Sequence, residues 1–182
     1  DAENYGETGT IADRAYDLDR NHPIAAGAIR TNVDNIVGTG LRLAAKPDYR
    51  ALGRDSDWAD EWSRDVEAKW RSFADAPEFD AARQLTFGGM TVMQLRTAFL
   101  SGDALALALW LPPSKRPGAK WSTCLQAIDP ARLACPDGRF MTDRNRQGIE
   151  INEYGEPIAY WIRKTHPGDL YGIFGQANNF ER

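Results

Sequence analysis

Between residues 55 and 76 the sequence DSDWADEWSRDVEAKWRSFADA places Trp58, Trp62, Val66, Trp70 and Phe73 at steps of four, four, four and three. Residues spaced in this way share one face of a helix. Proline cannot continue a helix interior, so Pro77 marks its stop. The segment therefore predicts a long helix with a heavily aromatic face. Such a face is too large an apolar patch to leave in water, so Trp58, Trp62 and Trp70 are expected to pack inward or against a neighbouring subunit. The opposite face carries Asp57, Asp60, Glu61, Arg64, Asp65, Glu67, Lys69 and Arg71, a mixed-charge surface suited to solvent.

Upstream, a polar lead (residues 1–10) precedes Ile11, Ala15 and Leu18, which recur at i, i+4 and i+7. They predict a short amphipathic helix ending near Asn21, with Asn21 capping the next helix and Pro23 in its first turn. That second helix reaches Gly38. The following Leu41, Arg42 and Leu43 alternate as a strand would. In the string NIVGTGLR, Gly38-Thr39-Gly40 raises the question of a phosphate loop. A dinucleotide loop follows a strand, opens a helix and carries a third glycine. Here a helix comes first and the third glycine is missing, so Gly38 is read as the left-handed residue that ends the helix.

Downstream, Thr91 and Gln94 stand in capping-box register ahead of Val92, Leu95 and Phe99, with Gly102 as the stop. ALALALWLP (residues 104–112) reads as a strand buried on both faces, because a glycine opens it and a double proline closes it. KWSTCLQAID (residues 120–129) supplies a partner strand with Trp121, Thr123, Leu125 and Ala127 on one face. Residues 136–147 read as a polar loop. GIEINEYGEPIAYWIR then reads as a second hairpin: Ile149 and Ile151, a turn at 153–156 with Gly155 at positive φ, and Ile158, Tyr160 and Ile162. Helices first and strands later predict an α+β fold, with residues 11–182 as one α+β domain behind the lead.

Composition excludes several classes. With 26 acidic and 22 basic side chains the net charge is −4, and the isoelectric point is near 5.2. This is no footprint of a protein that holds nucleic acid by neutralising phosphates. Cys124 and Cys135 are the only cysteines, enough for one bridge at most and without zinc-ligand spacing, which fits a reducing compartment. No stretch approaches the apolar length of a membrane span, and the N-terminal residues do not resemble a signal peptide. The first residue is not Met, and NNFER ends the sequence without a visible closing element, so the chain reads as a piece of a longer one.

Catalysis needs a nucleophile, a base and an orienting group. The only histidines, His22 and His166, each precede proline and lie in no motif. Asp55, Asp57, Asp60 and Glu61 form an acidic group, but acids in the first turn of a helix are stabilised there by the macrodipole. No catalytic, cofactor-binding or metal-binding residue is expected. Two rival functional classes remain open: a hydrolase using carboxylates of the 55–67 region, and a small module binding sugars or single strands through its six tryptophans.

Five strings in this order carry a resemblance: NHPIAAGAIRTNVDNIVGTGLRLAAKPD, WADEWSRDVEAKWRSFA, LTFGGMTVMQLRTAFLSGDALALALWLP, LQAIDPARL and GIEINEYGEPIAYWIRKTHPGD. Together they resemble the N-terminal half of lambda-type portal proteins of tailed bacteriophages, over residues 12–169. Residues 112–120 and 135–147 stand outside the likeness. The resemblance implies a structural protein without an active site or cofactor, the wing region of a subunit whose stem and clip are absent here. It implies a homo-oligomeric, usually dodecameric ring at one capsid vertex. Its implied partners are the packaging terminase, the capsid and tail-connector proteins, and double-stranded DNA that passes without sequence-specific binding. It places the protein in the virion, and in the host cytoplasm during assembly, with no membrane partner.

Overall fold

The computed structural model describes residues 7–136, 141–142, 144–169 and 180–181. Four helices come first: α1 (Thr8–Asn21), α2 (Pro23–Val37), α3 (Ser56–Ala74) and α4 (Phe87–Ser101). Eight short strands follow: β1 (Leu105–Trp110), β2 (Thr123–Ile128), β3 (Met141–Thr142), β4 (Asn145–Arg146), β5 (Ile149–Ile151), β6 (Pro157–Tyr160), β7 (Ile162–Arg163) and β8 (Phe180–Glu181). The fold is α+β, as the order of periodicities predicts. The chain divides into two units. One holds Ala26–Arg96 and Ala106–Ala127; the other holds Asp1–Ala25, Thr97–Leu105 and Ile128–Arg182.

The first unit is organised by α3. Asp55 caps it, its carboxylate accepting from the Trp58 N–H at 2.8 Å, which satisfies one of the orphan donors of the first turn. Pro77 ends the helix and opens a 3-10 turn that folds Phe79 back onto the aromatic face. Ring centroids of Trp70 lie 5.3 Å from Phe87 and 6.4 Å from Phe79, and Phe79 is 5.0 Å from Phe73. Phe73 in turn meets Trp121 at 5.6 Å. Edge-to-face contacts of this kind add to the burial of the rings. Phe79 and Cys124 are the most deeply buried side chains among the described residues.

Arg116, almost fully buried, binds the turn to the 112–120 connection. It donates from Nη1 to Glu78 O at 3.1 Å and from Nη2 to Asp80 O at 2.9 Å. Asp80 is buried as well, its carboxylate accepting from Ala82 and Gln84 N–H groups. The Ala81 N–H reaches Leu125 O at 2.7 Å, joining the turn to β2.

In the second unit β3, β4, β5 and β6 form an antiparallel sheet in that order. β4 and β5 are joined by Gln147 and Gly148 alone, at φ 51° and 91°. Positive φ at both positions is what a tight two-residue hairpin demands. β7 pairs antiparallel with β8, and Trp161 bonds back to Gly148 O at 2.7 Å.

Several expectations are corrected. Residues 40–48 form no strand; alternation alone supplies no partner ladder, and Ala45 N–H donates instead to the Glu67 carboxylate of α3 at 3.0 Å. Asn21 does not cap α2. Asn21 is the last residue of α1, and His22 Nδ1 accepts from Ala25 N–H at 3.4 Å. α4 begins one turn before Thr91: Thr86 Oγ1 accepts from Gly89 N–H, and Thr91 lies inside the helix, bonded to Phe87 O. β1 is not buried on both faces: among the described residues it pairs with β2 alone, and Trp110 is 70% exposed. In β2 the buried positions are Cys124 and Ile128, the face opposite Leu125 and Ala127. The 136–147 stretch is not only loop, since it contains β3 and β4, although residues 137–140 and 143 lie outside the described residues. Ile162 belongs to β7 rather than to the second hairpin, and the NNFER end supplies β8.

Candidate functional site

Gly38 has φ 54° and its N–H closes the last turn of α2 on Asp34 O at 2.9 Å. Gly40, at φ 101°, bonds to Val37 O at 2.9 Å. Both amides are thus engaged by carbonyls, at the negative end of a helix. Phosphates are held at the opposite end, where free N–H groups converge. The glycines end α2 and turn the chain.

Both histidines and Asp55 are taken up by local structure. His22 caps α2. His166 Nδ1 accepts from Gly168 N–H at 3.0 Å, folding the turn around Pro167, and its Nε2 stands 3.6 Å from Asp129. Of the acidic group, Asp55 is the α3 cap while Asp57, Asp60 and Glu61 are exposed, and the Asp65–Lys69 pair at 2.6 Å lies on the helix surface. Cys124 and Cys135 are not joined in a disulfide, and Cys135 donates to Asn145 Oδ1 at 2.9 Å. Among the described residues no three His, Cys, Asp or Glu side chains gather to hold a metal ion, and no helix is long and apolar enough to cross a membrane.

The tryptophans divide. Trp70 and Trp121 enter the aromatic core, whereas Trp58 and Trp62 stack on each other at 6.1 Å and 27° near the start of α3. The Arg54 guanidinium lies 5.5 Å over the Trp58 ring, a cation–π contact. Trp62 is 40% exposed, so of the two expected placements, inward or against a neighbouring subunit, it does not take the inward one within this chain.

Two exposed surfaces escape a reading based on periodicity. Residues 41–54 contain four cations and one carboxylate, in a chain that is acidic overall. They form an ordered excursion: Arg54 N–H bonds to Tyr49 O at 2.8 Å, Ala51 N–H to Asp48 Oδ1 at 3.2 Å, and Gly53 turns at φ 63°. Arg42, Lys46, Arg50 and Arg54 are all exposed, as are Leu41, Leu43 and Leu52. The second surface is the β5–β6 turn. Asn152 Oδ1 accepts from Tyr154 and Glu156 N–H groups, and its amide donates to the Glu156 carboxylate. This fixes a tip bearing Glu153, Glu156 and an 85% exposed Tyr154. A count of cations along residues 41–54 would have drawn attention to the first surface; turn chemistry alone does not reveal the second.

Residues 1–182 match a family model described as phage portal protein, lambda family. The chain is 33% identical over 158 residues to portal protein B of Escherichia phage lambda, covering 85% of this chain and 29% of that protein. The portal protein of Escherichia phage N15 gives the same identity and coverage. A probable portal protein of Halomonas phage phiHAP-1 is 26% identical over 181 residues, covering 98% of this chain and 32% of the relative. The chain spans less than a third of the length of these relatives.

Proposed function

We propose, for a chain that belongs to the lambda family of phage portal proteins, that it is the wing-like part of a subunit of the ring at the capsid vertex. Through that ring double-stranded DNA is packaged and later ejected. The observation that carries this reading is the family match along the whole of residues 1–182. Its role is structural. His22 and Asp55 cap helices, His166 folds a turn and Cys124 is buried in packing, which accords with a structural subunit.

The acidic balance suits a conduit. A wall that neutralised many phosphates would hold the duplex and release counterions, and binding of that strength opposes sliding. Exposed apolar groups on α1, β1 and the Trp58–Trp62 pair are surfaces that contact between subunits would cover. The same reading places the protein in the virion, after assembly in the host cytoplasm, with terminase, capsid and tail-connector proteins as successive partners. Electron microscopy of the intact protein tests it: a closed ring with a central hole is expected. Protein that remains monomeric under every capsid-assembly condition would overturn the assignment of a ring.

A further inference from the structure

We propose that residues 41–54 of one copy dock on the β5–β6 tip of the next, forming a head-to-tail contact between copies of this chain. The two surfaces complement each other in charge. The excursion presents Arg42, Lys46 and Arg50 without a carboxylate partner among the described residues, whereas residues 149–160 contain three glutamates and no lysine or arginine. They also match in apolar character. Leu43 and Leu52 lie exposed between the cations, and Tyr154 at the tip is the most exposed large apolar side chain among the described residues.

Both partners hold their shape before contact. The excursion is bound to α3 through Ala45 and Glu67 and is hydrogen-bonded within itself; the tip is fixed by Asn152. Little ordering entropy is therefore lost on docking. The interleaved leucines favour a protein partner over a nucleic acid, since a phosphate backbone offers them nothing to bury. Because the patches differ, the contact is heterologous, and a heterologous contact closes into a ring when its rotation permits. The inference rests on the ring reading for closure and adds to it the identity of one contact.

The test mixes isotopically light and heavy intact protein, couples lysine to carboxylate with a zero-length carbodiimide, and maps the linked peptides by mass spectrometry. Mixed light–heavy peptides joining Lys46 to Glu153 or Glu156 are expected. Lys46→Glu with Arg50→Glu should weaken association about tenfold, and Glu153→Lys in the opposing copy should recover it. Glu153→Lys alone guards against a folding artefact, because Glu153 makes no bond that holds the turn whereas Glu156 does. Links found only within single copies, no link at all, or association indifferent to charge reversal would each overturn the contact. Micrographs of the same samples separate the two claims: rings without the link sink the contact and keep the ring, whereas the absence of both sinks both.

Discussion

Arg116 offers the sharpest test of how the first unit is held. Its guanidinium is 4% exposed and donates to two backbone carbonyls, Glu78 O at 3.1 Å and Asp80 O at 2.9 Å. A hydrogen bond from a charged donor contributes about 1.5–3 kcal/mol, so losing both costs about 3–6 kcal/mol. Relief from burying a cation offsets part of this. We expect Arg116→Met to destabilise by about 3 kcal/mol, and Arg116→Lys by about half as much, because an ammonium on a single stem cannot span both carbonyls as the planar fork does. For a chain of this size about 3 kcal/mol lowers the melting midpoint by about 6–12 °C. Guanidinium unfolding followed by tryptophan emission reports directly, since Trp70 and Trp121 sit in the same unit. If Arg116→Met is as stable as Arg116→Lys, or costs less than about 1 kcal/mol, the carbonyls do not depend on the guanidinium.

Gly148→Ala should cost about 3 kcal/mol or more, since a Cβ there would meet Ala134 N at 2.6 Å and φ is 91°; a thermal melt close to that of the wild type would refute this. Gly38→Ala meets open space but keeps φ at 54°, so about 1 kcal/mol is expected, with no change in calorimetric titration against ATP or NAD; saturable binding lost in the variant would revive a phosphate loop. Trp62→Ala should cost about 1–2 kcal/mol in the monomeric chain, less than a buried tryptophan because the ring is 40% exposed. A loss above about 3 kcal/mol in dilute chain would mean that the ring is packed within one copy.

Residues 55–76 were legible because helix spacing, an N-cap aspartate and a stop proline all give one answer, and α3 spans Ser56–Ala74. Gly38, Gly102 and Gly155 were legible for the same reason: each has the positive φ that the turn or helix end requires. Arg116 was not. In PPSKRPGA a charged residue reads as solvent-facing, and nothing local announces two carbonyls contributed by a turn 36 and 38 residues earlier. The Gln147-Gly148 hairpin was missed because strands of two residues carry no measurable alternation; only the glycine hinted at it. Leu41 and Leu43 misled in the other direction, since alternation describes a backbone conformation while a strand requires a partner. Of the candidate contact, the cations could be counted from sequence, but their ordered display on α3 depends on the Ala45–Glu67 bond.

The remaining disagreements between pattern and burial share a direction. β1 has the sequence of a strand covered on both sides, LALALW, yet Leu107 and Trp110 are open to solvent. α1 carries the stripe Ile11, Ala15, Leu18, and both large members are about half exposed. On the apolar face of α3, Trp62 is 40% exposed. Sequence periodicity reports the surroundings under which a chain works, whereas burial in one copy reports only what that copy supplies. A two-stranded sheet by itself is marginal in water, and exposed apolar faces become stable when another surface covers them. On the proposed reading that surface belongs to a neighbouring subunit. Hydrogen exchange then supplies the last prediction: β1 and α1 amides should gain protection on ring assembly, while the Phe79 turn, already closed within the chain, should gain little. Equal gains in all three would mean that assembly stabilises the chain globally, and the exposed faces would lose their claim to be contact surfaces.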